Sequence, residues 1–211
     1  MALERLSGTD RMRQIADAAL RILASRGARG LTAMEIARML GISDAALFRH
    51  FRDKDAIVAA AIERFEELLE GDIVETGGDP LARLGAFFVR RVDKARENPE
   101  ILGLAFNDRL AEIAGPAGAE RVRRMVGRSI GFVRACLDEA QQDRLVATDV
   151  PVELLVWTVV GCLRGAATAQ GKQLVMPPDA LWAELEKLLR RTAAGKRQRH
   201  PRPRPRREVR R

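Results

Sequence analysis

Apolar residues recur at every third or fourth position along almost the whole chain, and no stretch alternates apolar and polar in the manner of a strand. Residues 10–26 put Ile15, Ala18, Ala19, Ile22 and Leu23 on one face, with Thr9 or Asp10 as the opening cap and Gly27 as the stop. A short helix follows Thr32 and ends near Leu40, before Gly41, and another spans about Asp44 to His50. A longer one runs from Lys54 to about Glu75 and closes at Gly77-Gly78-Asp79-Pro80. Further helices are expected at about 81–97, 100–113, 117–143, 151–170 and 179–193, separated by Asn98-Pro99, Gly115-Pro116, Asp149-Val150-Pro151 and Pro177-Pro178-Asp179. The pattern predicts an all-α chain of about nine helices with no internal repeat.

Composition narrows the class. With 211 residues, 46% hydrophobic and 31% charged, the chain can build a substantial core. The longest mostly apolar stretch, Val150 to Leu163, is too short to span a bilayer and contains Glu153. No charged-then-apolar leader opens the sequence, and the expectation is a soluble cytoplasmic protein with no membrane partner. Cys136 and Cys162 cannot staple a secreted scaffold and lack the close spacing of a zinc or redox pair. The net charge of +8 is unevenly placed. Residues 1–57 carry +3, residues 58–194 carry −3, and the Pro/Arg-rich tail 195–211 carries +8. That tail is too polar and proline-broken for a packed helix; it is either a solvated extension or a source of non-specific phosphate attraction. Three units follow: 1–57, 58–194 and a disordered basic tail, 195–211.

The chemistry concentrates in Thr32 to Phe51, TAMEIARMLGISDAALFRHF. Two short helices joined by a tight turn need a small residue where they cross, here Ala37, and one tolerant of positive φ at the turn, here Gly41. Ile36, Leu40, Ile42 and Leu47 supply a shared apolar seam, and Ser43 is placed to cap the second helix. Asp44, Ala45, Ala46, Phe48, Arg49 and His50 are left on the outer side or ends of that helix, which is sized for a DNA major groove. Thr32 and Lys54 would flank the groove and meet phosphates.

These residues carry a resemblance. Ile15-Ala16-Asp17-Ala18-Ala19, the Gly27 stop, Leu31-Thr32, Ile36-Ala37, Gly41-Ile42-Ser43, Leu47-Phe48-Arg49-His50-Phe51 and Lys54 make residues 10–57 similar to the DNA-binding domain of the TetR/AcrR family of transcriptional regulators. The resemblance implies phosphate contacts by Thr32, Ser43, His50 and Lys54, and groove contacts by Asp44, Ala45, Ala46, Phe48 and Arg49. It also implies a dimer on a palindromic double-stranded operator, with a helical C-terminal region that binds a small-molecule effector and dimerises. Two departures matter: Phe48 stands where a Tyr is usual, and Ala46 where Thr or Ser is frequent, so two hydroxyls are missing. Direct readout then leans on Arg49, on Asp44 and on methyl contacts to thymine.

In the C-terminal half, 151–170 carries Val152, Leu155, Val156, Val159, Val160 and Leu163, and 179–193 carries Leu181, Leu185, Leu188 and Leu189. Periodicity alone allows these stripes to face either the chain's own core or a second copy; the need to place two recognition helices on one duplex favours the dimer. A ligand cavity would be walled by Phe87, Phe88, Leu104, Phe106, Phe132 and Trp157, with Arg91, Asn107 or Arg164 as polar anchors. Arg164 could equally pair with a carboxylate at the dimer seam.

Catalysis is not expected. The two histidines are His50 and His200, and HExxH and CxxC are both missing from the sequence. Gly165 to Gln173 only superficially resembles a phosphate loop, since Gln173 stands where Ser or Thr is needed. Glu66, Glu67 and Glu70 read as a solvated helix face, and the cysteines as inert core thiols. No cofactor or metal is implied. A second possibility is a nucleoid-occlusion-type DNA-binding protein with a protein partner, because Ser43 to Phe51 is similar to the recognition helix of such factors.

Overall fold

The computed structural model describes residues 7–71, 73, 77–98, 101, 103–168 and 176–194, with the side chains of 168 and 191–194 excepted. The basic tail and most of the glycine-bounded stretch ending at Gln173 lie outside the described residues. Nine α-helices and one 3-10 turn are described, and no strand occurs among the described residues.

Helix α1, Gly8–Gly30, is opened by Ser7, whose hydroxyl accepts from the Asp10 amide, rather than by Thr9 or Asp10. Gly27 at φ +69° breaks its helical path, so the expected stop is where the backbone turns. Helix α2, Ala33–Leu40, is capped by Thr32 and ended by Gly41 at φ +64°. The Gly41 amide donates to Arg38 and the Ile42 amide to Ala37, the two bonds of a Schellman cap. Helix α3, Asp44–Leu47, is a single turn, shorter than expected from the sequence. Phe48, Arg49 and His50 continue it as a turn, in which the His50 amide donates three residues back to Leu47 at 3.0 Å.

Helix α4, Lys54–Glu70, is about 25 Å long at 1.5 Å per residue. It is followed by α5, Pro80–Glu97. The helix expected over 100–113 is instead a 3-10 turn, Leu104–Phe106, and a short α6, Arg109–Ile113. Asn107 breaks it: its side chain donates to the Gly103 carbonyl and accepts from the Arg109 amide, holding the backbone extended between the two pieces. Helices α7 (Gly115–Gln142), α8 (Val152–Thr168) and α9 (Pro178–Ala194) complete the chain as expected.

Two apolar clusters hold these helices. The first joins α1, α2 and α3 to α4, Leu104, Leu110, Val122 and Met125, so it runs continuously past residue 57. The second joins α5, the C-terminal half of α7, α8 and α9 around Phe87, Phe88 and Trp182. Trp182 lies against Gly85, and its ring sits 5.5 Å from that of Phe88.

Of the α4 carboxylates expected to be solvated, Glu67 and Glu70 are exposed and Glu66 is half-buried, and all three are engaged in ion pairs. Glu66 accepts from Arg121 at 2.7 Å and Arg128 at 2.8 Å, both on α7, and Glu70 also pairs with Arg128. Glu67 pairs with Arg13 of α1 at 3.4 Å and with Arg64 at 2.9 Å, and Arg64 reaches Asp17 of α1 at 2.8 Å. One acidic flank thus ties α4 to α1 on one side and to α7 on the other. The sequence conceals the ties to α1 and α7 because Arg13, Arg121 and Arg128 lie 54 to 62 positions from their partners.

Cys136 is buried in the second cluster, and burial pushes its thiol up to about 11. At pH 8 its thiolate fraction is then about one in a thousand, so a disulfide reagent should label Cys136 only after unfolding. Fast labelling of Cys136 in the native protein, located by mass spectrometry, would contradict the buried placement.

Candidate nucleic-acid interface and ligand cavity

The α2–α3 unit is anchored by few residues and presents many. Leu47 has no exposure and Phe51 has 5%; both join Ile36, Leu31 and Ile15 in the first cluster. Leu40 and Ile42 pack against them half-buried. With Leu47 turned inward, Ser43, Asp44, Ala45, Phe48 and Arg49 are exposed, and Ala46 and His50 are half-buried. The Phe48 ring remains 45% exposed.

Thr32 and Ser43 are cap residues as well as surface residues. The Thr32 hydroxyl accepts from the Glu35 amide at 3.2 Å and the Ser43 hydroxyl from the Ala46 amide at 3.1 Å. Each keeps its own proton to donate, which suits a phosphate oxygen. Lys54, the first residue of α4, is exposed beside Asp53, whose carboxylate accepts from the Ala56 amide at 2.8 Å. Among the described residues, Arg49 and Lys54 form no ion pair, whereas Arg26, Arg38, Arg52 and Arg64 do. Asp44 forms none either, so it does not brace an arginine in this structure. Arg49 and Lys54, both exposed, are therefore uncommitted among the described residues.

Glu35 fastens that face to α1. It accepts from Arg26 at 2.6 Å and Arg38 at 2.7 Å, and the Arg38 hydrogen bond above all holds its carboxyl below the ordinary value. A lowered carboxylate contributes above its unfolded pKa of 4.5 and loses that contribution only as pH falls through the lower folded value. The clasp is therefore fully formed at neutral pH.

A cavity of about 300 Å³ opens between α4, α5, the 3-10 turn, α7 and α8. Phe87, Arg91, Phe106, Trp157 and Arg164 line it, as do Leu69, Ser129 and Ile130, which the sequence reading did not single out. Four of the expected residues do not line it. Leu104 is buried in the first cluster, Asn107 is spent on the loop described above, and Phe132 stands behind Phe87 at a ring distance of 5.2 Å. Phe88 is likewise turned away, onto Trp182. Ser129 is the centre of the run Gly127-Arg128-Ser129-Ile130-Gly131, which lies inside α7 and not at a strand-to-helix turn; its buried hydroxyl has no hydrogen-bond partner in the structure.

Two cations face this apolar space. Arg91, 6% exposed, donates to the Leu69 carbonyl at 2.6 Å and lies 4.9 Å over the Phe87 ring. Lys94, one turn on, donates to the Leu68 carbonyl at 3.1 Å, so α5 side chains cap the C-terminal end of α4. Arg164 is exposed at the cavity's edge, 5.7 Å over the Phe106 ring.

The α8 stripe faces inward: Leu155, Val156, Val159 and Leu163 are buried in the chain's own core, as are Leu185 and Leu189 of α9. Val152, Val160 and Leu181 are half-buried against the same cluster. A different face of α8 is bare, with Leu154 at 57% and Trp157 at 73%, followed by exposed Gly161 and Gly165. Leu188 of α9 is 59% exposed. Among the described residues no helix is long and apolar enough to cross a membrane, and no His/Cys/Asp/Glu group could hold a metal.

Comparison with known proteins agrees with this architecture. Residues 15–61 match the bacterial regulatory proteins of the tetR family. The chain is 32% identical over 105 residues to the nucleoid occlusion factor SlmA of Marinomonas sp. (strain MWYL1), covering 48% of this chain and 53% of that one. It is 26% identical over 96 residues to the HTH-type transcriptional regulator YvkB of Bacillus subtilis (strain 168), covering 46% and 51%. It thus spans about half the length of these curated relatives. Its fold is that of AibR solved with isovaleryl coenzyme A and operator DNA, at TM-score 0.68 and 18% identity, over 85% of this chain and 97% of AibR. Its N-terminal helix-turn-helix unit, residues 15–61, is thus that of the tetR family of bacterial regulatory proteins.

Proposed function

We propose that the chain is a dimeric transcriptional repressor, released from its operator by a small molecule bound in the cavity. The observation that carries the DNA-binding part is the presented turn Ser43–His50, anchored by Leu47, with Arg49 and Lys54 free of ion pairs among the described residues. Residues up to 57 would read DNA, and 58–194 would dimerise and bind the effector. Helix α4 joins the two, since it begins at Lys54 beside the DNA face and ends at the cavity wall with Leu69. An effector that fits one setting of α4 better than another would shift the spacing of the two recognition turns. AibR, of the same fold, was solved with operator DNA and an acyl-coenzyme A together, which supports pairing the two activities.

Arg49→Ala should weaken specific binding by about 1–3 kcal/mol and relax one base position per half-site. Lys54→Ala should weaken binding uniformly across sequences and flatten the salt dependence. Titrations on cognate and mismatched duplexes at several salt concentrations separate the two. Unchanged base preference in Arg49→Ala would contradict its role. Genome-wide mapping of bound sites tests the repressor reading: a few palindromic sites beside promoters are expected. Many dispersed sites would favour a nucleoid-associated role, the reading that the likeness to the nucleoid occlusion factor keeps in view.

A further inference from the structure

We propose that the cavity takes a small, largely apolar ketone whose oxygen accepts a hydrogen bond from the Ser129 hydroxyl. This rests on the effector-released reading above and names the chemical class of that effector.

A serine or threonine inside a helix can return its hydroxyl to the carbonyl one turn back. Ser25 does so to Arg21 at 2.8 Å, and Thr158 to Leu154 at 2.8 Å. Ser129, inside α7 and in the cavity lining, does not: its hydroxyl is buried and has no hydrogen-bond partner. A buried donor left in this way costs stability. No bond holds the hydroxyl, so it is free to turn about χ1 toward an acceptor in the cavity. The rest of the wall is mostly apolar, built from Leu69, Phe87, Phe106, Val133, Trp157 and their neighbours. Arg91 donates to the Leu69 carbonyl at 2.6 Å and lies over the Phe87 ring, and Arg164 lies over the Phe106 ring, so both have partners within the protein.

The ligand follows from the groups each class would leave unpaired. An ionised ligand would give up its water to an apolar wall, which costs far more than burying a neutral group. A pure hydrocarbon fills the space and leaves Ser129 unsatisfied. An alcohol brings a hydroxyl hydrogen of its own, and two hydroxyls sharing one bond leave one hydrogen over. A carbonyl oxygen accepts from Ser129 and adds no donor. At about 30 Å³ per water-sized group, the 300 Å³ cavity holds about ten non-hydrogen atoms, the size of an aryl or medium-chain ketone. Ile130 of α7 and Trp157 and Gly161 of α8 line the cavity and are exposed, so its rim lies between these two helices and gives such a ligand a way in.

The test uses the full chain and calorimetric titration with acetophenone, 2-octanone, the matched alcohols 1-phenylethanol and 2-octanol, ethylbenzene and octanoate. Each ketone should bind about fivefold or more tightly than its alcohol, the effect of one unpaired buried donor, and octanoate should bind more weakly than either ketone. Ser129→Ala should lose about fivefold or more in acetophenone affinity while binding ethylbenzene no less tightly, which shows that its cavity is intact. Its Tm should be no lower than that of the parent, because the hydroxyl it removes has no partner. In the parent chain the infrared carbonyl band of bound acetophenone should lie below its position in a hydrocarbon solvent, and in Ser129→Ala it should return toward that position. Alcohols or octanoate binding as tightly as the ketones, failure of both ketones to bind, unchanged acetophenone affinity or a lowered Tm in Ser129→Ala, or an unshifted band would each overturn the inference. Binding to DNA is scored separately. Ketones that bind as expected without weakening the DNA complex would remove the effector-released reading and leave the site standing; an intact DNA complex with no ketone preference would remove this inference alone.

Discussion

Replacing Leu154 and Leu188 together with aspartate should convert a dimer into a 23.4 kDa monomer and lower operator affinity by at least a hundredfold. Both side chains are more than half exposed in the single chain, so the substitutions remove no contact from its own core and leave the fold intact. Exposed Leu154 and Trp157 with Gly161 and Gly165 form an apolar and small-residue strip along α8, and a Cβ on either glycine would meet nothing within 4 Å. Such a strip is out of place against water and suited to close approach of a second helix. Aspartates there would face their own copies across a two-fold axis, where like charges repel. The loss on DNA is large because the second recognition turn binds as an intramolecular event, which multiplies affinity by about 10²–10⁴. Light scattering together with titration on a palindromic duplex reads both effects. A variant that stays dimeric, or binds as tightly as the parent, would place the interface elsewhere.

Gly85→Ala should be the most damaging single methyl group in the second cluster. Its Cβ would stand 2.3 Å from the Trp182 indole nitrogen and 2.7 Å from the adjoining ring carbon. Trp182 is 7% exposed and held against Phe88, so the ring has little room to retreat. Overpacking of this kind costs about 1–3 kcal/mol. The upper half of that range corresponds to a fall in Tm of roughly 5–10 °C for a chain of this size. Because α9 is then lifted from α5, dimer formation should weaken as well. Gly131→Ala is the control: it lies in α7 with nothing within 4 Å of an added Cβ, and a helix interior favours Ala over Gly by about 1 kcal/mol. Equal Tm values for the two variants would contradict the Gly85–Trp182 contact.

What the sequence made legible was local. Gly27 and Gly41 stop helices because their positive φ is a backbone matter, and the Ser43 cap follows from its own hydroxyl. The outward face of α3 followed once Leu47 was assigned to the seam. What was hidden depends on distant partners. Periodicity located the α8 stripe but could not say which of its two apolar faces the chain would bury for itself; Leu155 and Val159 went inward, and Leu154 and Trp157 stayed out. The α4 carboxylates looked solvated because Arg121 and Arg128 are brought to them only by the packing of α7. In the sequence Asn107 looks like a cavity anchor, because nothing there reveals that its side chain is consumed by the backbone on either side. Ser129 is an ordinary helical serine until the cavity forms around it.

Ser43 to His50 should read base edges as one of a symmetric pair, which selection of bound duplexes from a random pool by the full chain will show. The expected result is an inverted repeat whose half-site centres lie one helical turn, or a whole multiple of it, apart, with one base pair per half-site relaxed when Arg49→Ala is selected in parallel. Recovery of unenriched sequence, or of one unrepeated motif indifferent to Arg49, would contradict it.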